Sequence, residues 1–154
     1  MNPDWELRRA TPDDAQALSK VAEAAYQHYT PRIGKPPGPM LADYAEEIQR
    51  HQVWVAESNQ QIIGGLVLIP DTDFMLLDNV AVHPKQQGRG PGRALLELAE
   101  AEASAQGYRE LRLYTHETMT ENIALYARSG WTETHRGQQA GYARVFMRKR
   151  LSQD

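Results

Sequence analysis

The stretch Gln87-Gly88-Arg89-Gly90-Pro91-Gly92-Arg93 has the residue types and spacing that most directly suggest chemistry. Three glycines at alternate positions let the backbone curl until successive N–H groups face one concavity. A helix beginning there adds the positive end of its dipole, and Lys85, Arg89 and Arg93 stand close enough to add charge. A diphosphate suits such a loop; read more plainly, it is a glycine-rich turn that only begins a helix. The Gly-Lys-Ser/Thr ending of a P-loop is absent, and the dinucleotide fingerprint needs a glycine where Arg93 stands. A second candidate is Asp78, a carboxylate in an otherwise apolar run. Such a group is either ion-paired for structure or shifted in pKa for use as a general base. Glu117 is the reserve acid, with helix-end charge complementarity as its plainer role. Asn122 and Tyr126, four apart in a periodic segment, share one helix face.

These residues need a frame. Glu6–Ala10 reads as a short strand, ended by Thr11-Pro12-Asp13-Asp14, which marks a helix start. Leu18, Val21, Ala22, Ala25, Tyr26 and Tyr29 extend that helix to about Tyr29. The proline- and glycine-rich Pro31–Pro39 predicts a stiff loop, and Leu41, Tyr44, Ala45 and Ile48 a further helix to His51. Val53–Glu57 and Ile62–Ile69 flank the turn Ser58-Asn59-Gln60 as a hairpin. Phe74–Val82 is mostly apolar throughout, as in a strand buried on both faces. From the glycine loop a helix runs to about Gln106, stopped by Gly107. Glu110–Thr115 is a strand. Thr118-Met119-Thr120-Glu121 has the form of a capping box opening a helix Asn122–Ser129, stopped by Gly130. Trp131–Thr134 and Tyr142–Arg148 read as a closing antiparallel pair. The order predicts an α/β (α+β) chain, one domain over residues 1–154, with a parallel crossover from Phe74–Val82 to Glu110–Thr115.

Composition narrows the function further. A formal charge of −3, from 17 Lys+Arg and 20 Asp+Glu, argues against a duplex nucleic-acid binder. The chain has no cysteine, so disulfides, thiolate zinc sites and a cysteine nucleophile are excluded. No apolar run approaches a membrane span. The start Met1-Asn2-Pro3-Asp4-Trp5-Glu6 has no apolar stretch of the signal-peptide kind, so a cytoplasmic location is the expectation. The five histidines are scattered and imply no metal.

The run Asp78–Pro84 followed by Gln87–Leu96 resembles the acyl-CoA-binding motif of the GNAT N-acetyltransferase superfamily, Arg/Gln-x-x-Gly-x-Gly/Ala. Asn122–Trp131 resembles that family's later helix, Asn-x-x-Ala-x-x-Tyr-x-x-x-Gly-Phe. The resemblance implies a mixed, mostly antiparallel sheet flanked by helices, with a splayed parallel strand pair. It implies acetyl-CoA as co-substrate, its diphosphate held by Gln87, Gly88, Arg89, Gly90, Gly92 and Arg93. Val80, Ala81 and Val82 would pair with the pantetheine arm, and Asn122 would contact the cofactor. One departure is Pro91, where the family has an aliphatic residue with an N–H; proline suits the first helical position but removes a donor.

The implied reaction is attack of an amine on a thioester. At neutral pH a lysine-like amine is protonated, so it needs a base, for which Asp78 occupies the position used by some relatives. The oxyanion needs a strand amide, most simply that of Val82. The leaving thiolate needs a proton, which the matched family position would supply from Tyr126; a core tyrosine with a satisfied hydroxyl is the other reading of that residue. The family varies its acceptor through the loop between the first helices and the last hairpin, here Tyr29 to Met40 and Arg136 to Arg144. Tyr29, Arg32 and Tyr142 are the candidate substrate-binding residues, and a small-molecule or peptide amine the expected partner, with a homodimer possible. A non-catalytic acyl-CoA-binding or sensing module on the same fold is the rival reading.

Overall fold

The computed structural model describes residues 5–151. The reading of the first four residues therefore lies outside the described part.

The chain begins with β1 (Glu6–Arg9), a 3-10 turn Pro12–Asp14 and α1 (Ala15–Tyr26). The Thr11 N–H donates to the Asp14 carboxylate at 2.8 Å, and Arg8 reaches the same carboxylate at 2.8 Å and Glu57 at 2.6 Å. These contacts fix the angle at which the helix leaves the strand. α1 ends at Tyr26, and a 3-10 turn carries the chain on to Tyr29.

The expected stiff loop holds two short helices, α2 (Thr30–Ile33) and α3 (Gly38–Leu41). Pro31 and Pro39 each sit in a first turn, where a missing N–H costs nothing, so proline punctuates these helices and does not prevent them. α4 (Tyr44–Arg50) follows, capped by Asp43, which accepts from the N–H groups of Ala45 and Glu46. Leu41 lies outside this helix and is 66% exposed, contrary to its place in the predicted stripe.

Among the described residues seven strands form one sheet in the order β1-β2-β3-β4-β5-β7-β6. β2 (Gln52–Ser58) and β3 (Gln61–Pro70) make the expected hairpin, with Asn59 and Gln60 at φ 51° and 66° in its turn. β4 (Met75–Val82) is followed by α5 (Pro91–Ala105) and β5 (Glu110–His116), and among the described residues only the β4–β5 pair is parallel. α6 (Thr120–Arg128) leads to β6 (Thr132–Gln139) and β7 (Tyr142–Arg150), with β7 inserted between β5 and β6. β6 is exposed along its whole length. The capping box expected at Thr118–Glu121 does not form. Thr118 bonds to His116 instead, and the Glu121 carboxylate is taken by Tyr29 and Arg32.

Two apolar clusters sandwich the sheet. One packs α5, Tyr126 and Trp131 against Leu66, Leu68, Met75, Leu111 and Val145. The other packs α1 and Tyr44 against Val53, Val55 and Val67. β4 is not buried on both faces: its residues alternate between buried and half-buried. The half-buried positions Asp78, Val80 and Val82 border cavities, which explains why an apolar run was tolerated there without full burial.

Candidate active site

The parallel pairing of β4 with β5 is confined to Met75–Leu111 and Leu76–Arg112. Beyond these residues the strands part, opening a gap towards their C-terminal ends. A bulge helps to produce it. β3 pairs Leu68 with Leu77 and Val67 with Asn79, so Asp78 is the extra residue of β4. Bulges re-aim side chains and bend the strand that carries them.

Past the bulge, the His83 N–H donates to the Ile63 carbonyl at 2.8 Å. The alternation of an antiparallel ladder then turns Ala81 towards β3, and the N–H and C=O groups of Val80 and Val82 towards the gap. Two side chains meet those carbonyls. The Tyr26 hydroxyl lies 2.7 Å from Val80 O and 3.0 Å from Asn79 Oδ1, sharing its one proton between them. Gln87 Nε2 donates to Val82 O at 3.3 Å. Asn79 is itself buried, and its amide donates to the Tyr44 hydroxyl at 2.9 Å, which donates to Pro39 O at 2.7 Å. This chain ties α1, α3 and α4 to the bulged strand.

At the open end lies the glycine loop. Gly88 and Gly90 have φ of 84° and 102°, conformations that a side chain resists, and Gly90 is the N-cap of α5. The first N–H of the α5 ladder is that of Ala94, which donates to Gly90 O at 3.0 Å. The N–H groups of Gly92 and Arg93 therefore remain available at the helix head. Pro91 fills the first helical position and is buried. Arg89 and Arg93 are exposed, and Arg93 pairs with Glu97 at 3.2 Å.

Two cavities flank the gap. A groove of about 710 Å³ runs past Val80, Ala81, Val82, Gln87, Gly88, Gly90, Gly92 and Arg93 to Asn122 and Tyr126. A second cavity of about 330 Å³ is lined by Glu47, Asp78, Tyr114, His116, Tyr142 and Arg144, among others. Tyr26, Val80, Asn122 and Tyr126 border both. The Tyr126 ring is 6% exposed and packs at 6.0 Å on Trp131, and its hydroxyl has no hydrogen-bond partner among the described residues. Burial raises its pKa, so the phenol keeps its proton.

The second cavity holds the carboxylates. Asp78 accepts from the Tyr114 hydroxyl at 3.3 Å, and burial raises its pKa against the opposing pull of Tyr114, His51 and Arg144. Glu47 is raised by burial and by the charge of Asp78. His116 is lowered by burial. Like charges in a poorly solvated space move carboxylates towards neutral pH, where a base is useful.

The other residues singled out from sequence fall as follows. Glu117 is exposed after β5, borders neither cavity, and uses its backbone N–H on Ala143 O. Tyr29 and Arg32 border the groove and not the smaller cavity. Both bind Glu121, whose pKa is brought down to about 2 chiefly by Arg32 and then by Tyr29. Tyr142 borders the smaller cavity, with its hydroxyl donating to Pro36 O at 2.7 Å. The structure adds Tyr44, Glu47, Asn79 and Tyr114, which the sequence shows only as helix or strand residues, and it singles out Tyr26 at the end of the first helix and Arg144 at the end of the Arg136–Arg144 segment.

A gap between parallel strands thus runs from helix-head amides at one end to carboxylates at the other. The model of the acetyltransferase (GNAT) domain matches residues 49–133, more than half of the chain, and the chain belongs to that family. It is 26% identical over 136 residues to YjgM of Escherichia coli K12, described as an uncharacterized N-acetyltransferase, covering 81% of this chain and 80% of that one. It is also 32% identical over 87 residues to the rat N-acetyltransferase family 8 member 3, covering 53% of this chain but only 38% of the rat protein. The PaiA N-acetyltransferase of Thermoplasma acidophilum, solved with coenzyme A, superposes with a TM-score of 0.81 at 20% identity, over 98% of this chain and 100% of that one.

Proposed function

We propose that this chain transfers the acetyl group of acetyl-CoA to a primary amine by direct attack in a ternary complex. The observation that carries this reading is the meeting of the groove and the cavity at Tyr126 and Val80. A long anionic co-substrate entering by the groove would end where an amine entering by the cavity begins.

The chain's own residues divide the work. The N–H groups of the Gln87–Arg93 loop and the head of α5 hold the diphosphate. The Val80 carbonyl and the outward backbone groups of Val82 meet the pantetheine amides as an added strand would. Of the two outward strand amides, that of Val80 belongs to the residue that borders both cavities, so it is assigned to the oxyanion in place of that of Val82. Asp78 takes a proton from the incoming ammonium. The new C–N bond forms first, giving the tetrahedral oxyanion; its collapse breaks the C–S bond, and Tyr126 protonates the departing thiolate, its own proton being restored by the second proton lost from nitrogen. The balance is ammonium plus thioester to amide, thiol and one released proton.

The test is thiol release from acetyl-CoA across a panel of amines. Amine-dependent, saturable release supports the reading. Saturable coenzyme A binding with no release on any amine would instead favour a sensing module on the same fold.

A further inference from the structure

The acetyl-transfer reading leaves the acceptor unassigned, and one side chain of the smaller cavity bears on it. Arg144 stands on β7 with its guanidinium carbon 4.0 Å from the centre of the Tyr114 ring and 5.3 Å from that of Tyr142. Its Nε is buried and has no hydrogen-bond partner among the described residues. Arg8, Arg32 and Arg148, by contrast, each stand within 4 Å of a carboxylate. Held against two aromatic rings, with Nε buried and unpaired, the guanidinium keeps a donor to spend, and its planar fork of donors matches a carboxylate.

Charges of the other sign border the same cavity. Asp78 and Glu47 both line it; Glu47 Oε2 is buried with no hydrogen-bond partner among the described residues, and His51 Nε2 stands 3.6 Å from it. The cavity thus presents a seat for a cation and a seat for an anion. Its size, about 330 Å³, is at the small end of ligand pockets. Its rim is tied across as well: Lys35 Nζ donates to Gly141 O at 2.7 Å and lies 4.0 Å from the centre of the Tyr142 ring, while the Tyr142 hydroxyl donates to Pro36 O. These contacts join the α2–α3 link to the β6–β7 turn. A polypeptide chain laid across this link would have to break them.

We infer that the acceptor is a small amino carboxylic acid, its ammonium held by Asp78 and Glu47 and its carboxylate by Arg144. This rests on the acetyl-transfer reading. The transfer yields an N-acetyl amino acid and free thiol, with the one surplus proton leaving through Asp78.

The experiment compares free amino acids of α- and longer spacing with their carboxamides, their decarboxylated amines, spermidine and a tripeptide, with coenzyme A binding measured separately by calorimetry. At least one free acid is expected to exceed its carboxamide in kcat/KM by about 10- to 150-fold, the worth of a charge-assisted hydrogen bond. Arg144→Gln should erase that ratio through KM, and Arg144→Lys, which keeps the charge but not the fork, should keep part of it. Carboxamides, spermidine or the tripeptide acetylated as well as the acids would overturn the inference. So would an unchanged acid-to-amide ratio in a folded Arg144→Gln, or turnover of no panel member by a protein that binds coenzyme A. Failure to bind coenzyme A is a separate result, and it overturns the acetyl-transfer reading beneath.

Discussion

Replacing Tyr126 by Phe isolates one proton. The ring is 6% exposed against Trp131, and its hydroxyl has no partner among the described residues, so Phe fills the same space and strands no buried donor. The stability change should be about 1 kcal/mol or less. Catalysis should suffer more. General acids contribute about 10²- to 10⁴-fold, and a thiol with a reference pKa near 8.5 leaves readily, so the loss belongs at the low end. A fall of about 10²-fold in kcat corresponds to about 2.7 kcal/mol of transition-state stabilisation. Steady-state thiol release measures it, with the acetyl-CoA KM expected within about three-fold of wild type because the proton is needed only as the thiolate departs. Thermal unfolding checks that the variant is folded. A folded Tyr126→Phe with kcat within about two-fold of wild type would refute the assignment of Tyr126 as the acid.

Three further substitutions test other parts of the account. Asp78→Asn should cut kcat/KM by about 10²-fold or more and remove the acid limb of the rate profile, a limb displaced above the usual carboxylate range because burial raises this carboxyl. Since folding raises that pKa, Asp78 costs stability as pH climbs from about 4 through the raised value, so the Asn variant should hold or gain Tm at pH 8 in calorimetry; a lower Tm would mark Asp78 as a structural ion partner. Gly90→Ala places a Cβ at φ 102° and 3.3 Å from the Trp5 ring, so it should lose about 1–2 kcal/mol in denaturant unfolding and bind coenzyme A at least about ten-fold more weakly. Pro91→Ala returns an N–H to the head of α5, and calorimetry should find coenzyme A bound about ten-fold more tightly, at a stability cost of about 1 kcal/mol; an unchanged Kd would mean that this N–H points away from the diphosphate.

What could be read in advance depended on how local the cause was. The glycine loop, the helix after it and the Asn122–Tyr126 face are set by neighbours within one or two turns, and the sequence displays them. The hairpin turn at Asn59-Gln60 is local in the same way. The network Tyr26–Asn79–Tyr44 joins residues 53 and 35 positions apart, so each looked like an ordinary stripe or strand residue until the fold brought them together. The bulge at Asp78 depends on its pairing with β3, which periodicity does not encode. The resemblance marks Arg136–Arg144 as facing the acceptor, but the insertion of β7 beside β5 that puts Tyr114 on the same cavity as Arg144 is not local and leaves no sign in either strand. Glu117 drew notice from its position at a strand end, yet the turn carries it outward.

The central claim is that main-chain amides at the head of α5 grip a diphosphate. Calorimetric titration with coenzyme A and, separately, with pantetheine tests it most directly. Coenzyme A should bind with a Kd below about 1 mM and pantetheine at least about ten-fold more weakly, since only the former carries the doubly charged group. Equal affinities, or no heat from coenzyme A at millimolar concentration, would contradict the account.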